Sequence, residues 1–195
     1  QMCIRDRESG CAHWTYSAGA EVRSSLSLGQ VPGRKDPVLY MGDFSATVHA
    51  IDASDGSLIW RLSVGDHPDA TITGSPKLYG GSLYVPISSS EWATAADPGY
   101  ACCTFRGGVV SVDAASGEVN WRAHVIDEPA VKTGETNPFG AARKGPSGAP
   151  VWNSPTIDAE RGVLYVGTGE AYTSPAADTS CLLYTSPSPR DWTIS

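Results

Sequence analysis

The segment Val48–Trp60, VHAIDASDGSLIW, returns sixty-one positions later as Val109–Trp121, VVSVDAASGEVNW, with Asp, Ala, Gly and Trp in register. Each copy alternates apolar and polar side chains (Val48 and Ala50, then Leu58 and Trp60) around Asp-Ala-x-x-Gly, a turn in which glycine supplies positive φ without steric cost. That pattern predicts a β-hairpin with a large aromatic at a fixed place on its second strand. Gly10 and Trp14 keep the spacing of Gly56 to Trp60 and of Gly117 to Trp121, which reads as the last strand of an earlier unit.

The front half of the unit also recurs, as Val38-Leu39-Tyr40-Met41-Gly42, Ser82-Leu83-Tyr84-Val85 and Val163-Leu164-Tyr165-Val166-Gly167. Gly74-Ser75-Pro76 and Asn153-Ser154-Pro155 stand shortly upstream of the last two. Each unit therefore predicts four short strands: one after the Ser-Pro, one at the Leu-Tyr and two around the Asp-Ala-x-x-Gly turn. Four antiparallel strands repeating at roughly forty to sixty residues predict an all-β chain folded as a β-propeller. A three-unit solenoid or a plain sandwich is the alternative. The tryptophan in every last strand favours the propeller, because packing between neighbouring blades explains it.

The termini break the pattern. Met2–Arg7 (MCIRDR) can be encoded by ATG TGT ATA AGA GAC AG, and the reverse complement of that string, read one base in, encodes Cys-Leu-Leu-Tyr-Thr, the pentapeptide at Cys181–Thr185. Inverted-repeat DNA at both ends resembles transposase-derived sequencing adaptor, so residues 1–7 and 181–195 are expected to lie outside the fold. Residues 8–180 are then a partial propeller of about three blades, against four to eight in a closed ring. The expectation is a fragment of a much longer protein.

A net charge of −7, with a pI near 5.0, argues against nucleic acid or an anionic membrane as the main partner. Hydrophobic residues make up 41% of the chain and mean hydropathy is −0.19, ordinary for a globular sequence. No apolar run approaches the roughly 18 residues of a transmembrane helix.

Candidate chemistry lies where the repeat is interrupted, between Pro86 and Val109. This insertion contains Ser88-Ser89-Ser90-Glu91-Trp92 and then Ala101-Cys102-Cys103-Thr104-Phe105-Arg106-Gly107. Adjacent cysteines are its sharpest signal. Across a trans peptide their Cα atoms are about 3.8 Å apart, short of the usual disulfide range of roughly 4.4 Å and above. The pair is either two reduced thiols facing opposite sides of a strand or an oxidised, rigid apolar ring suited to lie against a flat ligand.

The Asp-Ala-x-x-Gly-x-x-x-Trp units, Cys102-Cys103 and the run Gly145-Pro146-Ser147-Gly148-Ala149-Pro150-Val151-Trp152-Asn153-Ser154-Pro155-Thr156-Ile157-Asp158, followed by Leu164-Tyr165-Val166-Gly167-Thr168-Gly169-Glu170, together resemble the pyrroloquinoline-quinone (PQQ) dehydrogenases, and most nearly their polyvinyl-alcohol dehydrogenase branch. The resemblance covers nearly all of residues 8–175. It implies an eight-bladed propeller holding PQQ between a tryptophan and a vicinal disulfide, with Ca²⁺ polarising the reactive carbonyl. It implies Trp152 as the stacking tryptophan and Cys102–Cys103 as the disulfide. Glu170 falls where the family commonly has an Asn or Asp ligand to Ca²⁺, and Glu91 resembles the second ligand. Arg106 is a candidate for a quinone carboxylate, although in the better-known alcohol dehydrogenases the cysteine pair sits a blade earlier and the arginine follows it by more residues.

The implied activity is oxidation of a small or polymeric alcohol by hydride transfer, with electrons passed to a cytochrome c-type acceptor in the periplasm, where an oxidised cysteine pair is at home. The family's general base is an aspartate on a later blade, so no catalytic base is expected in this chain and the chain alone is expected to be inactive. A second reading is a non-catalytic propeller scaffold, like the envelope lipoproteins that help assemble outer-membrane proteins and share the Trp-ended repeat. His13, His49, His67 and His124 have no metal-ligand spacing and read as surface or turn residues. Cys11 reads as a small buried residue, and Arg143-Lys144 as part of a solvated loop.

Overall fold

The computed structural model describes residues 2–173, so the adaptor-like C-terminal stretch 181–195 lies outside the described residues. Strands β1 (Met2–Arg5) and β2 (Ala12–Tyr16) form an antiparallel pair. A first complete blade follows: β3 (Ser27–Gly29), β4 (Val38–Gly42), β5 (Thr47–Asp52) and β6 (Leu58–Ser63), hydrogen-bonded in that order as a four-stranded antiparallel sheet. The second blade contains β7 (Ala70–Thr71), β8 (Lys77–Tyr79), β9 (Ser82–Ser89), β10 (Gly108–Asp113) and β11 (Val119–His124), with a short helix α1 (Glu91–Thr94) between β9 and β10. The sheet runs β11-β10-β9-β7, and β8 also pairs with β9.

Beyond it come a hairpin of β12 (Val131–Thr136) and β13 (Ala142–Gly145), then β14 (Ser147–Gly148), β15 (Thr156–Asp158), β16 (Val163–Tyr165) and β17 (Ala171–Thr173). β15 pairs with β16 as the front half of a third blade, and β14 pairs with β17. Strands thus fall where the repeat places them. Every residue of β4 is buried and β5 nearly so, while β6 alternates, as expected where central strands are covered on both faces.

The repeated turn has a definite job. Asp113 Oδ1 accepts the amides of Ala115 and Ser116 at 3.0 and 2.8 Å and the Ser116 hydroxyl at 2.9 Å, and Gly117 closes the turn at φ +80°. Those bonds, the Ser116 amide foremost, hold the Asp113 carboxyl below the usual carboxylate range. Gly117 also leaves room for the preceding blade: a Cβ there would meet the Trp60 ring at 2.8 Å, and the indole Nε1 donates to Ala114 O at 3.2 Å. Trp14 docks on the turn before it in the same way, over Gly56 and with Nε1 donating to Ala53 O at 3.1 Å. Tyr40 adds a buried bond to the same Ala114 carbonyl at 2.8 Å. Each docked indole contributes on the order of 3 kcal/mol through the area it covers.

Two expectations are corrected. Residues 2–5 do enter a sheet: they pair with β2, and Asp6 builds the same turn, accepting from Glu8 and Ser9 amides at 3.0 and 2.8 Å. The reason is physical, since β2 presents an open row of amides and carbonyls that pairs with an extended segment reaching it. Cys11 is exposed rather than buried, because it stands in the turn leading into β2.

Gly117→Ala should lower the unfolding free energy by about 3 kcal/mol, combining left-handed strain with displacement of Trp60. Gly80→Ala, at φ +57° but with open space around it, should cost only about 1 kcal/mol. Urea titration of both variants measures the difference, and equal losses would contradict indole docking as the blade-to-blade contact.

Candidate functional site

The insertion in the second blade is organised around one carboxylate. α1 turns Glu91 inward, with none of its surface exposed, and leaves the next residue, Trp92, 65% exposed. Glu91 Oε1 accepts the Tyr100 hydroxyl at 2.8 Å and the Thr104 amide at 2.7 Å, while Oε2 accepts the Phe105 amide at 2.9 Å. His67 Nε2 lies 3.5 Å from Oε1 and 3.0 Å from Thr104 Oγ1. The His67 Nδ1 accepts the Asp69 amide at 3.1 Å, which leaves Nε2 to donate toward Glu91. Burial alone would raise the Glu91 carboxyl, but hydrogen bonds from His67, the Phe105 and Thr104 amides and Tyr100 outweigh it and hold the group at about 2.

This network fixes the segment that carries the cysteines. Cys102 and Cys103 are joined by a disulfide across a cis peptide bond, with Cα atoms 3.1 Å apart, so the oxidised alternative is the one realised. β13 grips the pair from the other side: Cys103 N donates to Lys144 O at 3.2 Å and Lys144 N to Cys102 O at 2.6 Å. Lys144 and its neighbour Arg143 are therefore strand residues and not a loose loop. Cys103 is buried, whereas Cys102 faces a cavity of about 180 Å³ that it shares with Tyr100, Asn137, Arg143, Tyr172 and Thr173.

The same backbone fabric reaches Trp152 and Glu170. Gly148 N donates to Phe105 O at 2.7 Å, Ala149 N to Glu170 O at 2.9 Å and Gly169 N to Pro150 O at 2.8 Å. Gly148 sits at φ +106°, and a Cβ on Gly169 would come within 3.5 Å of Trp152 Cδ1. Trp152 is 57% exposed, whereas Trp60 is partly buried on the Gly117 turn. With Glu170 it lines a second cavity, of about 300 Å³, where the ends of three blades meet. Phe44 and Arg23 come from the first blade, Ser88–Ser90 and Trp92 from the second, and Trp152, Glu170 and Tyr172 from the third.

The candidates read from sequence are thus knit together by main-chain bonds but divided among environments. Trp152 and Glu170 face the larger cavity, Cys102 faces the smaller one, and Tyr172 belongs to both. Glu91 lies beneath, both oxygens committed to protein donors. Arg106 is turned away: it bridges Gly148 through its backbone, and its guanidinium donates to the Ile126 and Asp127 carbonyls at 3.4 and 2.7 Å. Arg23 is the cation at the larger cavity, lying 4.4 Å over the Phe44 ring and paired with Glu21 at 2.7 Å.

Three histidines also have more definite places than their spacing implied. His67 holds the Glu91 knot; His49, nearly buried, joins Asp43 Oδ2 and Tyr16 Oη, each at 3.0 Å; His124 pairs with Asp66 at 2.8 Å. Sequence spacing could not find them, because each partner comes from another strand or loop. Among the described residues, no group of three or more His, Cys, Asp or Glu side chains is arranged to hold a metal.

Glu91 sets a pH dependence. Its folded pKa is depressed to about 2 against an ordinary 4.5, so its contribution is complete above pH 4.5 and disappears as pH falls toward 2. Such a shift corresponds to about 3 kcal/mol. Glu91→Gln, which sets an amide against two main-chain donors, should cost about 3 kcal/mol at pH 7 and flatten the acid limb of a stability-against-pH curve. An unchanged acid limb would show that Glu91 does not carry the knot.

Comparison with known proteins gives these features a context. Residues 3–97 match a repeat-family model described as outer membrane protein assembly factor BamB. The chain is 37% identical over 169 residues to a polyvinylalcohol dehydrogenase of Pseudomonas sp., covering 85% of this chain and 26% of that protein. It is 35% identical to a polyvinylalcohol dehydrogenase of Sphingopyxis sp. strain 113P3, covering 89% and 27%. It therefore spans about a quarter of the length of these curated relatives. The crystal structure of quinohemoprotein alcohol dehydrogenase from Comamonas testosteroni shares the fold, with a TM-score of 0.59 at 22% identity over 87% of this chain and 26% of the other. A europium-containing methanol dehydrogenase does too, with a TM-score of 0.56 at 18% identity over 85% of this chain and 31% of the other. Over the stretch it spans, the chain is similar in sequence and fold to the propellers of the PQQ-type quinoprotein dehydrogenases.

Proposed function

We propose that the complete protein is a quinoprotein alcohol dehydrogenase and that this chain supplies part of its PQQ site. The observation that carries this reading is Trp152, standing more than half exposed at the junction of three blades, beside a loop whose Cys102–Cys103 disulfide is locked in place by Glu91. When bound, PQQ supplies an electron-accepting carbonyl for hydride from the alcohol, and Ca²⁺ supplies Lewis-acid polarisation of that carbonyl.

The residues here bind and orient. Trp152, Trp92 and Phe44 offer flat apolar faces, and the Ser88–Ser90 run offers polar contacts. Arg23 is better placed than Arg106 to meet a quinone carboxylate, since it lines the cavity. Cys102 of the disulfide lines the adjoining cavity, which shares Tyr172 with this one. Glu170 is the carboxylate open to Ca²⁺, whereas Glu91 would have to exchange protein donors for the metal, so its place in the proposal is to hold the cysteine loop.

The substrate is a small or polymeric alcohol, in keeping with the polyvinylalcohol dehydrogenase relatives. Electrons pass to a cytochrome c-type acceptor in the periplasm, a setting that agrees with a disulfide. The general base comes from outside these residues, and the chain by itself is inactive. The match of residues 3–97 favours a scaffold reading as a second possibility, but it ends before Cys102 and Trp152 and so covers only the blade repeat that both classes share.

The test is the full reading frame expressed with Ca²⁺ and PQQ and assayed for dye reduction across simple alcohols and polyvinyl alcohol. Quinone-dependent activity is expected, and Trp152→Ala should weaken PQQ binding roughly tenfold or more. Arg106→Lys should leave PQQ affinity nearly unchanged. No quinone-dependent turnover with any alcohol would overturn the enzyme reading in favour of the scaffold.

A further inference from the structure

Tyr172 is the one residue shared by the cavity that Cys102 faces and the cavity that Trp152 faces. Its ring packs 6.3 Å from that of Phe105, whose amide is held by Glu91. Its hydroxyl oxygen is buried and makes no hydrogen bond of ordinary geometry, the Ser89 side chain coming only into loose reach, and among the described residues it is the only buried side-chain polar atom left so. A buried hydroxyl without a partner is costly, and native structures rarely leave one unless something absent from the coordinates completes it. A tyrosine hydroxyl is protonated at neutral pH and so offers an O–H donor to whatever completes it.

We propose that the Tyr172 hydroxyl is a ligand-positioning donor, completed by a neutral carbonyl oxygen of the bound quinone. This rests on the reading of the Trp152 cavity as the PQQ site. The choice of a carbonyl over a carboxylate follows from where the cations of the two cavities stand. Carboxylates have better places near Arg23 in the larger cavity or Arg143 in the smaller one.

The full reading frame and its Tyr172→Phe variant can be compared without any turnover. Thermal unfolding of the ligand-free chains should show no loss of stability in Tyr172→Phe, because the hydroxyl removed has no partner; a clear drop in Tm would mean that it has one, and would overturn the proposal. PQQ titrated against tryptophan fluorescence should bind the variant five- to tenfold more weakly than the unmutated chain, the loss of one hydrogen bond. The same ratio is expected with the trimethyl ester of PQQ, in which no carboxylate remains. Equal affinities for the two chains would overturn the role of Tyr172 while leaving the quinone site standing, and a penalty that vanishes with the ester would reassign the bond to a carboxylate. No binding by the unmutated chain would sink the quinone reading itself, and this inference with it.

Discussion

The docking of an indole onto a glycine turn of the next blade is the constraint on which everything else in this chain depends. Trp14 on Gly56 and Trp60 on Gly117 use the same two contacts, a ring face over a missing Cβ and an Nε1 donor to a turn carbonyl, so successive blades meet in one geometry. Trp121 does not repeat this contact: nothing lies over Gly162, and Trp121 instead lines a cavity with Ile157 and the Asp158–Leu164 turn of the third blade. Because the spacing is fixed by rigid aromatic rings, strand ends from three blades arrive at one place without any long loop having to organise them. The Trp152 cavity is a product of that convergence.

What the repeat does not provide, the buried carboxylate of Glu91 does. An insertion of this length gains little from strand pairing, and its vicinal disulfide sits on a segment with few regular hydrogen bonds of its own. Glu91 collects two consecutive amides, a phenol and an imidazole, enough to keep it ionised despite burial. β13 completes the clamp through Lys144. A rigid loop beside an exposed tryptophan is the kind of preorganised surface that a planar cofactor requires.

The architecture was legible because it is periodic. Asp, Gly and Trp recur at fixed offsets, and each residue has one physical task wherever it appears. Trp152 and the cysteine pair were legible as interruptions of that period. Nothing in Ser88-Ser89-Ser90-Glu91 announces that the Glu91 oxygens meet the amides of Thr104 and Phe105. The outward turn of Arg106 has a reason of parity: Phe105 points into the core, so its neighbour, bridged to Gly148, points out toward Ile126 and Asp127. His67 and Tyr172 were invisible because their meaning lies in partners, or a missing partner, supplied by other elements.

The central claim is that Trp152 is a cofactor surface and not part of the blade packing. A crystal structure of the full reading frame grown with PQQ tests it most directly. The account predicts the quinone ring stacked on Trp152, with Cys102–Cys103 on its far side and Tyr172 at its edge. A quinone bound elsewhere, or a Trp152 indole folded against a neighbouring blade with PQQ absent from this cavity, would contradict it.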